Sequence, residues 1–575
     1  FFFAVVVSLE GMSARSTVDC SSDSGAKVNP WAQVLLLGAV ITTGVLILRA
    51  SDSNASALFA RPVSPRPPLA GTSRSITHRT SPSHQHLGPQ SRAMPGTAPA
   101  RGTDLHAHSA STTQSSTRGA PVGLIWGLLM AAAGAAIALW RKLRNANATP
   151  ENWNMCNTAQ VAVSPSVLGA PVETLVRSSV EGAEGVYCCQ RSPLAHKVLT
   201  KVPSLAQWSK WYKSPLWAKN GHVHTIIASK ARRTAAVEYH RTELSTPDGG
   251  TLALDRLITV RWGERPSNRQ EGVTFVGPAS EAWEQQNRNK PFLLLTSGLG
   301  GGSHDPYVRS MAASAAAKGW QVGIVNMRSC GGSPVTSARF FSAYRGSTCD
   351  VRQALAHCKQ HFVAPGTRVA VMGWSNGGTI INNLLAEQAT THFDDAHRVD
   401  AGVTLATPLN MPGSSKHLQR WFQRHVYDRA IASNLVNNFS QAQHLFEGEV
   451  DTWDGGKCTI DSKALLQCTT IEGIDHELTR KSFGFETVAD YYSHASSDQR
   501  LKDVDVPLLL LSAIDDPIAP GHCIPWHAAR ENQNLVMAVT KHGGHLGWCD
   551  KDDPFNGCKW VEEASLSFLG AALDH

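Results

Sequence analysis

Residues 368–388 read RVAVMGWSNGGTIINNLLAEQ, and the order of residue types within them frames the whole chain. An apolar run at strand length, 368–372, passes through Gly373-Trp374-Ser375-Asn376-Gly377-Gly378 directly into a helix-compatible run, 379–388. A G-x-S-x-G string says little by itself, because a chain with 47 glycines produces such strings readily. Between a strand and a helix it acquires a mechanism. The serine sits on a sharp turn, glycines flank it because larger side chains would clash, and its hydroxyl is presented at the sheet edge. Ser375 is the candidate nucleophile.

A serine hydroxyl is a poor nucleophile until a base takes its proton. In a strand–elbow–helix arrangement the partners follow in the order acid, then histidine. The acid is expected at the end of a late strand, where residues 508–512 lead into Ala513-Ile514-Asp515-Asp516-Pro517-Ile518-Ala519-Pro520. Asp515 and Asp516 compete. Asp516 is preferred because it directly precedes the Pro-Ile-Ala-Pro stretch, where the chain turns away from the sheet. After the next apolar run, 535–540, come Lys541-His542-Gly543-Gly544-His545-Leu546-Gly547-Trp548. His545 is the candidate base, since two glycines let its loop reach over the serine; His542, nearer the strand, reads as structural. An oxyanion hole needs a backbone N–H after the first central strand and the N–H following the nucleophile. Ser297-Gly298-Leu299-Gly300-Gly301-Gly302 follows the run 292–296, so Leu299 and Asn376 are the expected donors. That glycine run lacks the Lys-Ser/Thr ending of a phosphate loop.

Outward from this centre the pattern alternates. Apolar runs at 292–296, 321–327, 369–372, 403–406, 508–511 and 536–539 are separated by helix-compatible stretches such as 307–318 and 350–361. Such alternation predicts an α/β fold with a mostly parallel sheet wrapped by helices. Runs 237–244 and 251–257, joined by Thr246-Pro247-Asp248-Gly249-Gly250, predict a hairpin that forms an antiparallel edge. About a hundred residues between the strands near Val403 and Leu508 break the rhythm and read as mainly helical. They are expected to form a helical cap, about 410–500, over the carboxyl edge where open α/β sheets bind ligands.

The 575 residues are 42% hydrophobic and 17% charged, which suits one large core. The net charge of +7 owes much to the N-terminal part, so no nucleic-acid partner is expected. None of the 12 cysteines forms a CxxC pair, and neither a metal nor a cofactor is expected. Residues 1–150 read as a targeting or anchor region. They comprise a signal-like apolar run at 31–48, a Ser/Arg/Pro-rich spacer at 51–120 whose only acids are Asp52 and Asp104, and a transmembrane candidate at 122–140 closed by Arg141-Lys142-Leu143-Arg144. A single-pass membrane protein of the secretory route is the expectation, with a plastid leader as the alternative. Residues 151–200 read as a linker, and 201–575 as the folded domain.

From about Trp208 onward the chain resembles the YheT-type branch of the α/β-hydrolases, which includes abhydrolase-domain proteins of types one to three and plant embryogenesis-associated homologues. The resemblance rests on Trp217-Ala218-Lys219-Asn220-Gly221-His222-Val223-His224-Thr225-Ile226, Pro247-Asp248-Gly249-Gly250 with Leu254-Asp255, and Asn326-Met327-Arg328-Ser329-Cys330-Gly331-Gly332. It continues through Gly373–Gly378, Phe483-Gly484-Phe485 with Asp490-Tyr491-Tyr492, Val506-Pro507-Leu508-Leu509, Asp515-Asp516-Pro517 and Gly543-Gly544-His545-Leu546-Gly547. Ser297 departs from the pattern, standing where the family often has His or Pro. The resemblance implies an esterase or lipase acting on acylglycerol, phospholipid or short-chain esters, often anchored by an N-terminal helix. Its partners would be a lipid or small ester substrate and the membrane. Acyl transfer to an alcohol or lysolipid is one alternative, prompted by the H-x4-D string of His545 and Asp550. A non-catalytic membrane adaptor is another, and a peptidase rests on fold analogy alone.

Overall fold

A computed structural model describes residues 181–266 and 270–574. The apolar runs at 31–48 and 122–140 and the spacer between them lie outside these residues. Among the described residues, no helix is long and apolar enough to cross a membrane.

The strands are β1 (Gly185–Cys188), β2 (Ala236–Ser245), β3 (Thr251–Arg261), β4 (Val273–Phe275), β5 (Phe292–Thr296), β6 (Gln321–Asn326), β7 (Val369–Trp374), β8 (Ala401–Leu405), β9 (Glu449–Asp451), β10 (Lys457–Thr459), β11 (Leu508–Ala513) and β12 (Leu535–Thr540). Ten form one sheet in the order β1-β12-β11-β8-β7-β5-β6-β3-β2-β4. From β6 to β12 every neighbouring pair is parallel. Strands β5, β7, β8, β11 and β12 are buried along their whole length, which is why they read as continuous apolar runs instead of alternating ones.

Successive residues of these strands serve opposite faces of the sheet. Leu293, Leu295, Ala370 and Met372 face the helices Pro306–Ala317 and Lys559–Leu573, which contribute Met311 and Phe568. Phe292, Leu294, Val369 and Val371 face Ser347–His361 and Asn376–Thr390, which contribute Leu355 and Ile381. The result is a three-layer sandwich, the expected α/β architecture.

Both edges differ from the sequence reading. The hairpin β2–β3 is antiparallel and joins the sheet through β3 beside β6, but the short β4 pairs in parallel outside it. At the other edge β1 pairs antiparallel with β12, and the helix Pro193–Lys201 packs against the C-terminal layer. Residues 185–200, read as linker, thus contribute a sheet strand and all but the last residue of a core helix. Four residues of strand carry too little periodic signal to be recognised before their partner is known.

Between β8 and β11 the chain forms the helices Met411–Leu418, Arg429–Ala442 and Val488–Ala495, shorter turns, and the ribbon β9–β10. This interval has its own core of Phe439, Phe446, Val450, Ile460, Leu465 and Leu478. Phe340, from the loop after β6, completes that core, with ring centroids 5.4 Å from Phe446 and 6.2 Å from Phe439. The cap is therefore built by two distant segments.

Candidate active site

The strain that the elbow motif implies is present. Ser375 has φ 52° and ψ −123°, a conformation unfavourable for a residue with a Cβ, and it precedes the helix Asn376–Thr390. Only glycine fits at the flanks. A Cβ on Gly373 would lie 2.4 Å from the Gly377 carbonyl oxygen, and one on Gly377 would lie 2.3 Å from the Ser297 carbonyl oxygen.

The structure brings Ser375, His545 and Asp516 into one hydrogen-bonded chain. His545 Nε2 is 2.9 Å from Ser375 Oγ, and His545 Nδ1 is 2.9 Å from Asp516 Oδ2. Asp516 is 3% exposed and is held by the N–H groups of Ile518 and Ala519, both donating to Oδ1 at 2.8 Å. Two backbone donors keep the carboxylate hydrogen-bonded and pointed at the imidazole.

Asp515 turns the other way. Its Oδ1 accepts the N–H groups of Gly543 and Gly544 at 3.0 and 2.9 Å, and its Oδ2 is 3.0 Å from His542 Nδ1. The pair Asp515 and His542 therefore anchors the loop that carries His545.

The stretch Asn220–Arg232 underpins the same loop, a role sequence reasoning did not assign. Thr225 Oγ1 accepts the His545 N–H at 2.8 Å and donates to the Gly221 carbonyl. Arg232 donates to the Leu546 and Gly547 carbonyls. His224 accepts the Cys549 N–H at Nδ1 and faces the Ala218 carbonyl with Nε2, at 3.1 and 2.8 Å. One acceptor and one donor are what a neutral imidazole offers, and burial pushes this histidine's pKa down to about 4. The family motif at 217–226 is the floor of the histidine loop. At its centre, a Cβ on Gly221 would lie 1.8 Å from the Asp515 carbonyl oxygen. Gly221→Ala is expected to lower the unfolding free energy by about 3 kcal/mol, read from the urea midpoint. Gly263→Ala, with nothing within 4 Å, should leave it unchanged.

On the opposite side of Ser375 lies the glycine loop. A Cβ on Gly298 would come within 3.3 Å of Ser375 Cβ, and the Gly298 N–H donates to the Tyr307 hydroxyl at 3.0 Å. Leu299 and Asn376, the expected oxyanion donors, border the same cleft as Ser375. The loop is braced by Asp255, whose carboxylate accepts from Ser303 Oγ at 2.6 Å and Asn326 Nδ2 at 2.8 Å and is paired with Arg241. Asn434 of the cap donates to the Gly300 carbonyl at 3.0 Å. The motifs Leu254-Asp255 and Asn326-Met327-Arg328 are thus framework: Arg328, also buried, is clamped between Asp248 and Asp350 at 2.6 and 2.8 Å.

Above Ser375 the cap covers a cleft that is partly open to solvent. Its apolar walls include Phe340, Phe341, Met411, Leu418, Ile431 and Leu435. The charged side chains bordering it are all acidic: Asp428, Glu472 and Asp475. Burial pushes the pKa of Asp475 up to about 6, against hydrogen bonds from Thr479 and Tyr492. No group of His, Cys, Asp and Glu side chains that could hold a metal ion occurs among the described residues.

The family model described as alpha/beta hydrolase fold matches residues 290–550. Embryogenesis-associated protein EMB8 of Picea glauca is 34% identical over 352 residues, covering 61% of this chain and 70% of that protein. Phospholipase ABHD3 of Mus musculus is 24% identical, covering 63% and 79%. Monoacylglycerol lipase of Saccharomyces cerevisiae is 26% identical, covering 64% and 82%. With its sheet order, its strained serine elbow and these relatives, the chain belongs to the α/β-hydrolase family, in the branch of embryogenesis-associated and abhydrolase-domain proteins.

Proposed function

We propose that this protein is a serine hydrolase of carboxylic esters with a long acyl chain and an uncharged alcohol. The observation that carries the reading is the unbroken chain Asp516–His545–Ser375 opening into an apolar cleft. Ser375 Oγ attacks the ester carbonyl while its proton passes to His545 Nε2. The Leu299 and Asn376 N–H groups stabilise the oxyanion, and Asp516 holds the imidazole in the tautomer with a proton on Nδ1. Collapse of the tetrahedral intermediate breaks the ester C–O bond, and the alcohol leaves with the proton from His545. Water, deprotonated by the same histidine, then releases the carboxylic acid and restores Ser375.

The cleft supports a finer reading. Acyl chains suit its aliphatic and aromatic walls, with about 25 cal/mol gained per Å² of apolar surface buried. Three bordering carboxyls and no bordering cation suit hydroxyl groups, which donate to carboxylates, and repel a phosphate. Monoacylglycerol is therefore expected to exceed a lysophosphatidic acid of equal chain length in kcat/KM by at least about 10-fold. Equal rates would remove the electrostatic part of the proposal. Lipid profiling of membranes incubated with wild-type protein and with Ser375→Ala tests the whole reading. Acylglycerols should fall and free fatty acids rise with wild type only.

A further inference from the structure

The outer surface of the cap carries a feature that ester hydrolysis does not use. Residues 421–442 run as one helix whose second turn, Arg424–Asp428, is a π turn. Such turns add a residue to the helical repeat and recur at functional sites. Here Arg424, His425 and Val426 lie consecutively on the outside, while Tyr427 and Asp428 turn inward. The inward face continues through Ile431 and Leu435, which wall the cleft. The outward face presents Trp421, 75% exposed, and Val426, 37% exposed. Around them stand four exposed cations, Lys416, Arg420, Arg424 and Arg429. Among the described residues none of the four has a salt bridge within 4.0 Å, although Arg424 acts on Asp428 at longer range and borders the same surface depression as Glu472. Within 416–436 the one acid is Asp428, on the buried side.

An exposed indole amid arginines that form no close salt bridge differs from an ordinary solvated helix face, where charges of both signs alternate. Burying an indole at a lipid–water boundary is favourable, and basic residues beside it are drawn to anionic headgroups. We propose that the outer face of the cap helix docks on an anionic lipid surface, with Trp421 entering the headgroup region and Lys416, Arg420, Arg424 and Arg429 facing the headgroups. Charge complementarity selects this occupant over the chain's own acid-poor N-terminal spacer, whose 70 or so residues hold only Asp52 and Asp104. The arrangement matches the cleft behind it: an uncharged ester dissolved in a membrane would meet the enzyme where the anionic matrix holds the cap. Docking also has a route to the site, because Asn434, on the same helix, is bonded to Gly300 beside Leu299. The use of docking in turnover rests on the hydrolase reading; the docking itself does not.

The test uses the full-length chain with vesicles of phosphatidylcholine alone or mixed about three to one with phosphatidylserine. Each cation near such a surface strengthens binding by about fivefold. Wild-type turnover of monoacylglycerol embedded in the vesicles should rise about 10-fold when phosphatidylserine is included, and fall back in high salt. The variant R420E/R424E/R429E should lose that rise while cleaving a soluble short-chain ester at the wild-type rate. A rise fully retained in the variant overturns the proposal. Should the variant fail on the soluble ester as well, wild-type hydrogen exchange decides: amides of residues 416–436 must gain protection with phosphatidylserine vesicles and not with phosphatidylcholine. Absence of that protection, or its appearance with RNA in place of vesicles, also overturns it. If wild type cleaves neither ester, the hydrolase reading fails, and the exchange experiment still tests docking.

Discussion

Ser375→Ala and His545→Ala are each expected to lower ester turnover by about 10⁴-fold or more and to abolish labelling by a fluorophosphonate probe. The two side chains act as one unit. His545 Nε2 lies 2.9 Å from Ser375 Oγ: attack passes the serine proton across that contact, and the alcohol departs by taking the same proton from His545. Their double variant should therefore be scarcely worse than either single one, because effects within such a unit are not additive. Folding should survive Ser375→Ala. The substitution removes one hydroxyl and keeps the Cβ already accommodated at φ 52°. Unchanged turnover in a folded Ser375→Ala protein would sink the assignment.

The neighbouring aspartates should separate cleanly. Asp516→Asn is expected to cost about 10⁴-fold in kcat, because an amide can donate to Nδ1 and so favours the wrong histidine tautomer. Asp515→Asn should cost about 10-fold or less, with its main effect on stability. It loses a carboxylate that accepts two backbone N–H groups and faces His542, a loss of about 1–3 kcal/mol. The measurements are kcat at saturating ester and the urea midpoint of each variant. A large kcat loss in Asp515→Asn with little in Asp516→Asn would transfer the orienting role to Asp515.

Much of the framework was legible because it is local. The elbow reads from a few residues, since the turn excludes side chains at Gly373 and Gly377 whatever lies around it. The parallel strands read as apolar runs because they are covered on both faces by helices. Other features were hidden because their meaning depends on residues far along the chain. Nothing in the string Asn220-Gly221-His222-Val223-His224-Thr225 announces that Thr225 will hold the His545 backbone 320 positions later. The loop after β6 likewise gives no sign that Phe340 will complete the core of a cap inserted after β8.

The sequence by itself determined the succession of the central strands along the chain, the turn at Ser375 and the order in which Ser375, Asp516 and His545 follow one another. Each of these is set by short-range sterics or by burial pattern, and neither needs distant coordinates. The preference for Asp516 over Asp515 was read from the sequence, but which carboxylate lies against the imidazole is a property of the tertiary structure. The two stand on consecutive residues of the turn that follows β11, and the fold around that turn sets one against the imidazole and the other against the backbone of its loop. The tertiary structure also decided which side of the cap helix is which. Composition places arginines, a tryptophan and aliphatic residues in 416–436, but packing over Ser375 turns Ile431 and Leu435 inward and leaves Trp421 and the arginines outside. A helix has two faces by geometry, and its function depends on what each face is packed against.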